Sequence, residues 1–293
     1  MKIERMAPLC VVAAGICWGI IGLFTRQLSA YGLSPLQITF GRSLVTAVVM
    51  TGLILCRYPE RLRIAWRDAW MFLGTGLGSI VFFNICYFTA IELTTLSVAA
   101  ILLYTAPSIV MVFSIFLFHE RFTRRKGLCL VLAFAGCVLV SGLGLGHVEA
   151  AGLLAGLGSG FGYALYSVFG HYALAKYEPL TVTAWTFLIA SLGLLPFCHF
   201  GMMASLAVSV PYTALLFALL GLVSTALPFG LYTIGLKHME AGRASILASV
   251  EPLTSTVIGI VVFHEALTLT GAAGIACILG AVILLAQKAQ PSG

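Results

Sequence analysis

A carboxylate stands well inside an apolar run at Ile246 to Glu265, ILASVEPLTSTVIGIVVFHE. About 20 apolar residues match a hydrocarbon core of about 30 Å. A carboxylate near the centre of such a helix costs roughly 2.5–3.5 kcal/mol on insertion scales, so its presence points to work that needs it. Glu251 can carry a proton or pair with an ammonium group. Pro252 follows at once, removing one helix hydrogen bond and crowding the preceding turn, which frees carbonyls beside the carboxylate. A cation, Arg42, lies inside the second apolar run. At about 1.5 Å per residue, Glu251 lies about 12 Å in from Arg243 and Arg42 about 10 Å in from Pro35. That leaves roughly 8 Å of depth between them, close enough to line one cavity. The blander alternatives are a structural pair or a snorkelling side chain for Arg42, and a protonated carboxyl bonded to a neighbouring helix for Glu251.

Further groups could complete such a site. Trp18 lies near the middle of the first run, Asn84 and Tyr87 in the third, Tyr104 just before Pro107, and Tyr163 and Tyr166 in the sixth. Aromatic bodies with hydroxyl or amide tips suit an amphipathic pocket; for any single one, helix packing serves equally well. The eight cysteines sit in apolar runs without metal-type spacing and read as small buried hydrophobes. The pairs His119-Glu120 and His264-Glu265 lack the spacing of a zinc helix. They read as helix-end anchors or gate contacts, so neither metal nor cofactor is expected.

The elements that must hold these groups are membrane helices. The 293 residues are 60% hydrophobic and 9% charged, with a mean hydropathy of +1.07, against about 25% charged in soluble domains. Ten runs can be marked, at about 7–25, 35–56, 70–90, 97–118, 127–145, 151–170, 180–198, 212–235, 243–263 and 271–287. Backbone in lipid must satisfy itself, so each run is a helix. The first run is long enough to span and shows no signal-peptide cleavage site. With the N-terminus in the cytoplasm, fourteen of the sixteen Lys and Arg residues fall on that side; Arg26 and Arg42 are the exceptions. The positive-inside rule then places both termini in the cytoplasm. The net charge of +6 is a product of that bias rather than a nucleic-acid footprint. The partners expected are the bilayer and a small molecule; monomer and homodimer stay open.

A shift of 145 residues lays ILLYTAPSIVMVFSIFLFHE, Ile101 to Glu120, on Ile246 to Glu265. Pro107 meets Pro252, Phe118-His119-Glu120 meets Phe263-His264-Glu265, and Thr123 meets Thr268. Basic residues follow the first pair and not the second: Arg124 and Arg125 become Leu269 and Thr270. Five runs per half is odd, so the halves, 1–146 and 147–293, cross the membrane in opposite senses. The expected fold is an all-α membrane protein of ten transmembrane helices in two inverted five-helix repeats, an arrangement that puts transport sites at the repeat interface. The glycine rows, such as Gly156, Gly158, Gly160 and Gly162, read as close helix contacts.

Nearly the whole chain resembles the EamA-like branch of the drug/metabolite transporter superfamily. The resemblance rests on the five-plus-five runs, Trp18-Gly19, Arg42, and a repeated order of proline, terminal acid and glycine-bearing run. That order is Pro107, Glu120 and Gly127 to Gly136, then Pro252, Glu265 and Gly271 to Gly280. It implies passage of small metabolites, often amino acids, through a central cavity, without fixing the substrate. One departure stands out: aligning Pro35 with Pro179 puts Thr186 where the first half has Arg42. The resulting expectation is a secondary transporter of the cytoplasmic membrane, an exporter of amino acids or related compounds, with proton coupling left open. The rival is an intramembrane enzyme using His and Glu near the membrane faces. Enzymes need a clustered acid, base or metal, and here the ionisable groups are scattered. No nucleotide-binding motif is present to drive a pump.

Overall fold

A computed structural model describes residues 2–141, 149–264 and 268–286. Glu265, Lys288 and the junction between residues 146 and 147 lie outside the described residues. Every regular element among the described residues is helical. Eight helices are long and apolar enough to cross a membrane: α1 (Met6–Ala30), α2 (Pro35–Arg57), α3 (Trp66–Leu93), α4 (Leu96–Phe118), α6 (Ala150–Leu174), α7 (Pro179–Phe197), α9 (Pro211–His238) and α10 (Ala241–Phe263). The other two apolar runs are α5 (Arg124–Ser141), which opens on three basic residues, and α11 (Leu269–Ala286). A short helix not anticipated from the hydropathy pattern, α8 (Phe200–Ser209), precedes α9.

Local chemistry sets several boundaries. Ser34 and Gln37 form a capping box: the Gln37 N–H donates to Ser34 Oγ at 3.3 Å and the Ser34 N–H to Gln37 Oε1 at 2.8 Å. Pro35 takes the first helical position, where no N–H is missed. The repeated Phe-His-Glu also acquires a structural reason. His119 and His264 end α4 and α10 in the left-handed region, with φ of 53° and 54°, a conformation that closes helices and that His tolerates better than most residues. The N–H groups of His119 and Glu120 both reach back to the Ser114 carbonyl.

The long helices are interrupted at corresponding places. α4 breaks at Tyr104 and α10 at Ser249, each just before the first turn that holds Pro107 or Pro252. π-helical turns occupy Gly74–Val81 in α3 and Leu222–Ala226 in α9. Each pair matches under the 145-residue shift. Packing repeats too: α1 lies on α9 and α10, α6 on α3 and α4, while α2 pairs with α7, α4 with α10 and α5 with α11.

Each break is sealed by a glycine of the helix packed on it. A Cβ on Gly160 would sit 2.6 Å from Thr105 Oγ1 and 2.8 Å from the Leu102 carbonyl. One on Gly15 would sit 2.4 Å from Val250 Cγ1 and 3.0 Å from the Ala248 carbonyl. Gly156 faces α4 like Gly160, whereas Gly158 and Gly162 face α3. Overpacking of this kind costs about 1–3 kcal/mol. Gly15→Ala and Gly160→Ala are therefore expected to lower unfolding stability in detergent by that order, whereas Gly52→Ala, with open space around it, leaves it unchanged or higher. Equal stability of all three variants would refute the sealing role.

Candidate functional site

The breaks in α4 and α10 open onto a cavity between the helices. Its deep chamber, about 70 Å³, is lined by Trp18 and Ile21 of α1, Arg42 of α2, Phe83 of α3, Tyr163 and Tyr166 of α6, Phe229 and Tyr232 of α9, and Glu251 of α10. A wider cavity of about 430 Å³ shares Trp18, Ile21, Arg42, Phe83 and Glu251 and adds Asn84, Tyr87 and Tyr104. It continues to the exposed residues Ser29, Pro35 and Leu96. A third cavity, about 510 Å³, adjoins it at Arg26, Tyr87, Leu96, Tyr104 and Ser255. Arg26 stands at this mouth with its guanidinium 4.0 Å over the Phe263 ring. All eight residues singled out from the sequence line these cavities, which share walls.

Arg42 and Glu251 line the same chamber without forming an ion pair; each has another partner. Arg42 is 8% exposed and donates from Nη2 to Asn84 Oδ1 at 3.5 Å. Asn84 is held in turn, its Nδ2 donating to the Ile80 carbonyl at 2.7 Å inside the π turn of α3, where helix carbonyls are released from regular bonding. Glu251 accepts from Tyr163 Oη at 3.3 Å. Trp18 packs edge-on against Tyr163 and Phe229, at centroid distances of 6.4 and 5.0 Å, and tilted against Tyr232 at 5.3 Å. Its indole Nε1 is buried with no hydrogen-bond partner, so the chamber wall carries an unused donor.

Toward the basic end of the bundle the chamber is closed. Tyr166 Oη lies 3.0 Å from Thr233 Oγ1, Tyr232 Oη 2.7 Å from Ser167 Oγ, and Thr75 Oγ1 2.6 Å from Thr186 Oγ1. Below this floor, charged groups clamp separate parts of the chain together. Lys176 donates to Asp68 at 2.6 Å and Tyr177 to the other oxygen of the same carboxylate at 2.8 Å. Lys126 Nζ lies 2.7 Å from Glu240 and 3.7 Å from Glu120. Arg125 and Arg243 donate to the carbonyls of Leu284 and Leu285. Among the described residues these contacts lie between the chamber and the basic end, while the cavity lining reaches exposed residues at the other.

A helical bundle with this composition admits many activities, and similarity to known proteins narrows them. The model of the EamA-like transporter family matches the chain twice, over residues 5–142 and 150–287. The chain belongs to the EamA-like transporter family. An "Uncharacterized transporter" of Archaeoglobus fulgidus is 32% identical over 283 residues, covering 96% of each chain. The "Threonine/homoserine exporter RhtA" of Salmonella typhimurium is 28% identical over 90% of this chain and 85% of its own, and that of Escherichia coli 29% over 82% and 76%. A crystal structure at 22% identity superposes with a TM-score of 0.79 over 95% of both chains, which shows the shared fold.

This EamA-like transporter has cavity residues that the hydropathy reading passed over. Phe83, Phe229 and Tyr232 look like core aromatics in any apolar run. The signal was nonetheless present: the 145-residue shift carries Asn84 onto Phe229, Tyr87 onto Tyr232 and Trp18 onto Tyr163. Of the two His-Glu pairs, His119, Glu120 and His264 line none of these cavities. His119 and His264 close helices, and Glu120 joins two parts of the bundle. Its Oε1 accepts the Ala241 N–H at 2.7 Å, at the start of α10, where Glu240 supplies no side-chain cap. Burial pushes the Glu120 carboxyl above its ordinary value, while the Ala241 N–H and then Lys126 draw it back. At the corresponding start of α4, Thr95 caps its own helix by accepting the Val98 N–H at 3.2 Å. Losing a cap costs about 1 kcal/mol. Glu120→Ala is expected to lower unfolding stability by roughly that amount, and Glu240→Ser, which brings a local cap, to restore part of it. Unaltered stability in Glu120→Ala, or no recovery in the double variant, would show that the cap is not its role.

Proposed function

We propose that the protein is a secondary transporter that exports amino acids or closely related zwitterions across the cytoplasmic membrane. The observation that carries this reading is the pair Arg42 and Glu251: opposite charges lining one aromatic-walled chamber, each on its own partner and not on the other. A zwitterion supplies a carboxylate for Arg42 and an ammonium for Glu251. The names of the RhtA relatives, exporters of threonine and homoserine, support the amino-acid class and the direction.

The proposal includes ten membrane-crossing helices, arranged as two inverted repeats, 1–146 and 147–293, with both termini in the cytoplasm. The double match of the family model and the corresponding breaks, π turns and helix pairings support this arrangement. Cavity residues would be exposed alternately to the two sides, with Trp18, Asn84, Tyr87, Tyr104, Tyr163 and Tyr166 shaping the pocket around the two charges. The rival enzyme reading finds less support, since the two histidines serve as helix ends and the named relatives are transporters. In labelling with a membrane-impermeant thiol reagent, on a background whose native cysteines are silent, Glu149→Cys is expected to react from outside and Arg124→Cys from inside only. The reverse pattern would overturn the topology.

Glu251 is the proposed coupling group. It can take a proton from one side and release it to the other, and its charge can hold a substrate ammonium. Glu251→Gln keeps shape and hydrogen bonding but cannot ionise, whereas Glu251→Asp keeps the charge. In liposomes with a pH gradient, Gln is expected to abolish accumulation of labelled substrate while exchange persists, and Asp to retain part of both. Arg42→Ala should weaken transport roughly tenfold or more, the worth of a charge-assisted contact. Full pH-driven accumulation by Glu251→Gln would remove Glu251 from coupling, and normal transport by well-inserted Arg42→Ala would remove Arg42 from the site.

A further inference from the structure

Between α2 and α3 the chain runs along the basic end as Arg57-Tyr-Pro-Glu-Arg-Leu-Arg-Ile-Ala-Trp-Arg67. It forms two short 3-10 turns, Pro59–Leu62 and Trp66–Asp68, and the residues between them alternate. Leu62 and Ile64 pack inward against buried clusters, while Arg61, Arg63 and Ala65 face out. The backbone is pinned from α7 and from the turn that precedes it. Thr181 Oγ1 donates to the Arg61 carbonyl at 2.9 Å, Trp185 Nε1 to the Leu62 carbonyl at 3.0 Å, and the Ala65 N–H to Tyr177 Oη at 2.9 Å.

The pinned segment presents four exposed arginines, Arg57, Arg61, Arg63 and Arg67, and among the described residues none of them makes an ion pair. The acids nearby do not neutralise them: Asp68 is taken by Lys176 and Tyr177, and Glu60 is a single exposed carboxylate. Beside them Trp66 is 89% exposed. This is costly in water and favoured in the headgroup layer, where indole rings anchor. The segment joins two helix ends, so it lies at that layer. A charge bias for topology needs neither a fixed backbone nor arginine in particular. A row of guanidinium forks on a fixed backbone, with Arg61 stacked 4.3 Å over the Tyr58 ring, suits phosphate oxygens.

We propose that the Arg57–Arg67 segment is a docking surface for anionic phospholipid headgroups, with Trp66 as its interfacial anchor. The experiment is tryptophan quenching in the full-length protein, reconstituted in phosphatidylcholine with a minority of lipid brominated high on the acyl chain. The quencher is phosphatidylglycerol in one arm and phosphatidylcholine in the other. The part of the signal due to Trp66 is the difference between wild type and Trp66→Phe. Brominated phosphatidylglycerol is expected to quench it roughly twofold or more above brominated phosphatidylcholine, with the preference fading at high salt. Joint substitution of Arg61→Gln, Arg63→Gln and Arg67→Gln should abolish the preference, and Arg61→Lys, Arg63→Lys and Arg67→Lys should restore it in part. Equal quenching by the two lipids, a preference that survives the glutamine variant, or one that charge does not restore would each overturn the proposal.

Discussion

A carboxylate one residue before a proline, inside an apolar helix, is the constraint around which the rest of the molecule is arranged. Proline takes away a helix hydrogen bond, and in hydrocarbon the freed backbone groups must find cover. Ser249 turns the chain at that point, and α1 closes over it with a glycine that brings its backbone against the Ala248 carbonyl. Glu251 is thereby held at the edge of a gap rather than in a packed wall. Tyr163 satisfies one of its oxygens, and the gap supplies the polar surroundings that a bare helix in lipid would lack.

The same device, without its carboxylate, is built at Tyr104 and Pro107. The 145-residue shift puts Ala106 where the second copy has Glu251 and Phe187 where the first has Arg42; aligning Pro35 with Pro179 instead puts Thr186 there. The scaffold is thus repeated while the charges are not. Two copies of an identical polar site facing one chamber would set like charge against like. Placing the anion on α10 and the cation on α2 lets each stand near the other at a depth where an isolated charge is expensive. Breaking the repetition at two positions is what turns a duplicated bundle into a chamber with a sense of polarity.

Much of this is legible in the sequence alone. The apolar runs, the two halves, Glu251, Arg42 and the six polar or aromatic groups around them follow from run length, charge placement and the repeated proline. What was not legible has a physical cause. The π turns in α3 and α9 leave no mark in hydropathy, because they change register without changing composition. Phe83, Phe229 and Tyr232 are indistinguishable from packing residues in a helix that is apolar all round, and only the repeat offset, applied residue by residue, points to two of them. Helix α8 is apolar but shorter than a span, so run length passes over it. The Phe-His-Glu repeats read from sequence as helix-end anchors or gate contacts, and His119 and His264 do end their helices. The left-handed backbone angle that they supply has no mark in the sequence pattern.

The polar contacts of the described residues differ in kind between the two ends of the bundle. At the basic end, Asp68 is joined to Lys176 and Tyr177, Glu120 to the start of α10, and Lys126 to Glu240. At the other end, among the described residues, the Glu149 N–H donates to the Leu93 carbonyl and Tyr212 to Gln27, α4 starts with its own threonine cap, and the cavity reaches exposed residues. A helix that caps itself can leave its neighbour at no hydrogen-bonding cost. A helix capped from elsewhere in the chain cannot, since separation strands a donor worth about 1 kcal/mol or more. The conformation with the basic end shut therefore gathers a small set of contacts that any opening there must replace, and each contact is individually weak. Under the proposed transport cycle, closure spread over several replaceable contacts would let a ligand with differential affinity for two conformations shift the balance between them.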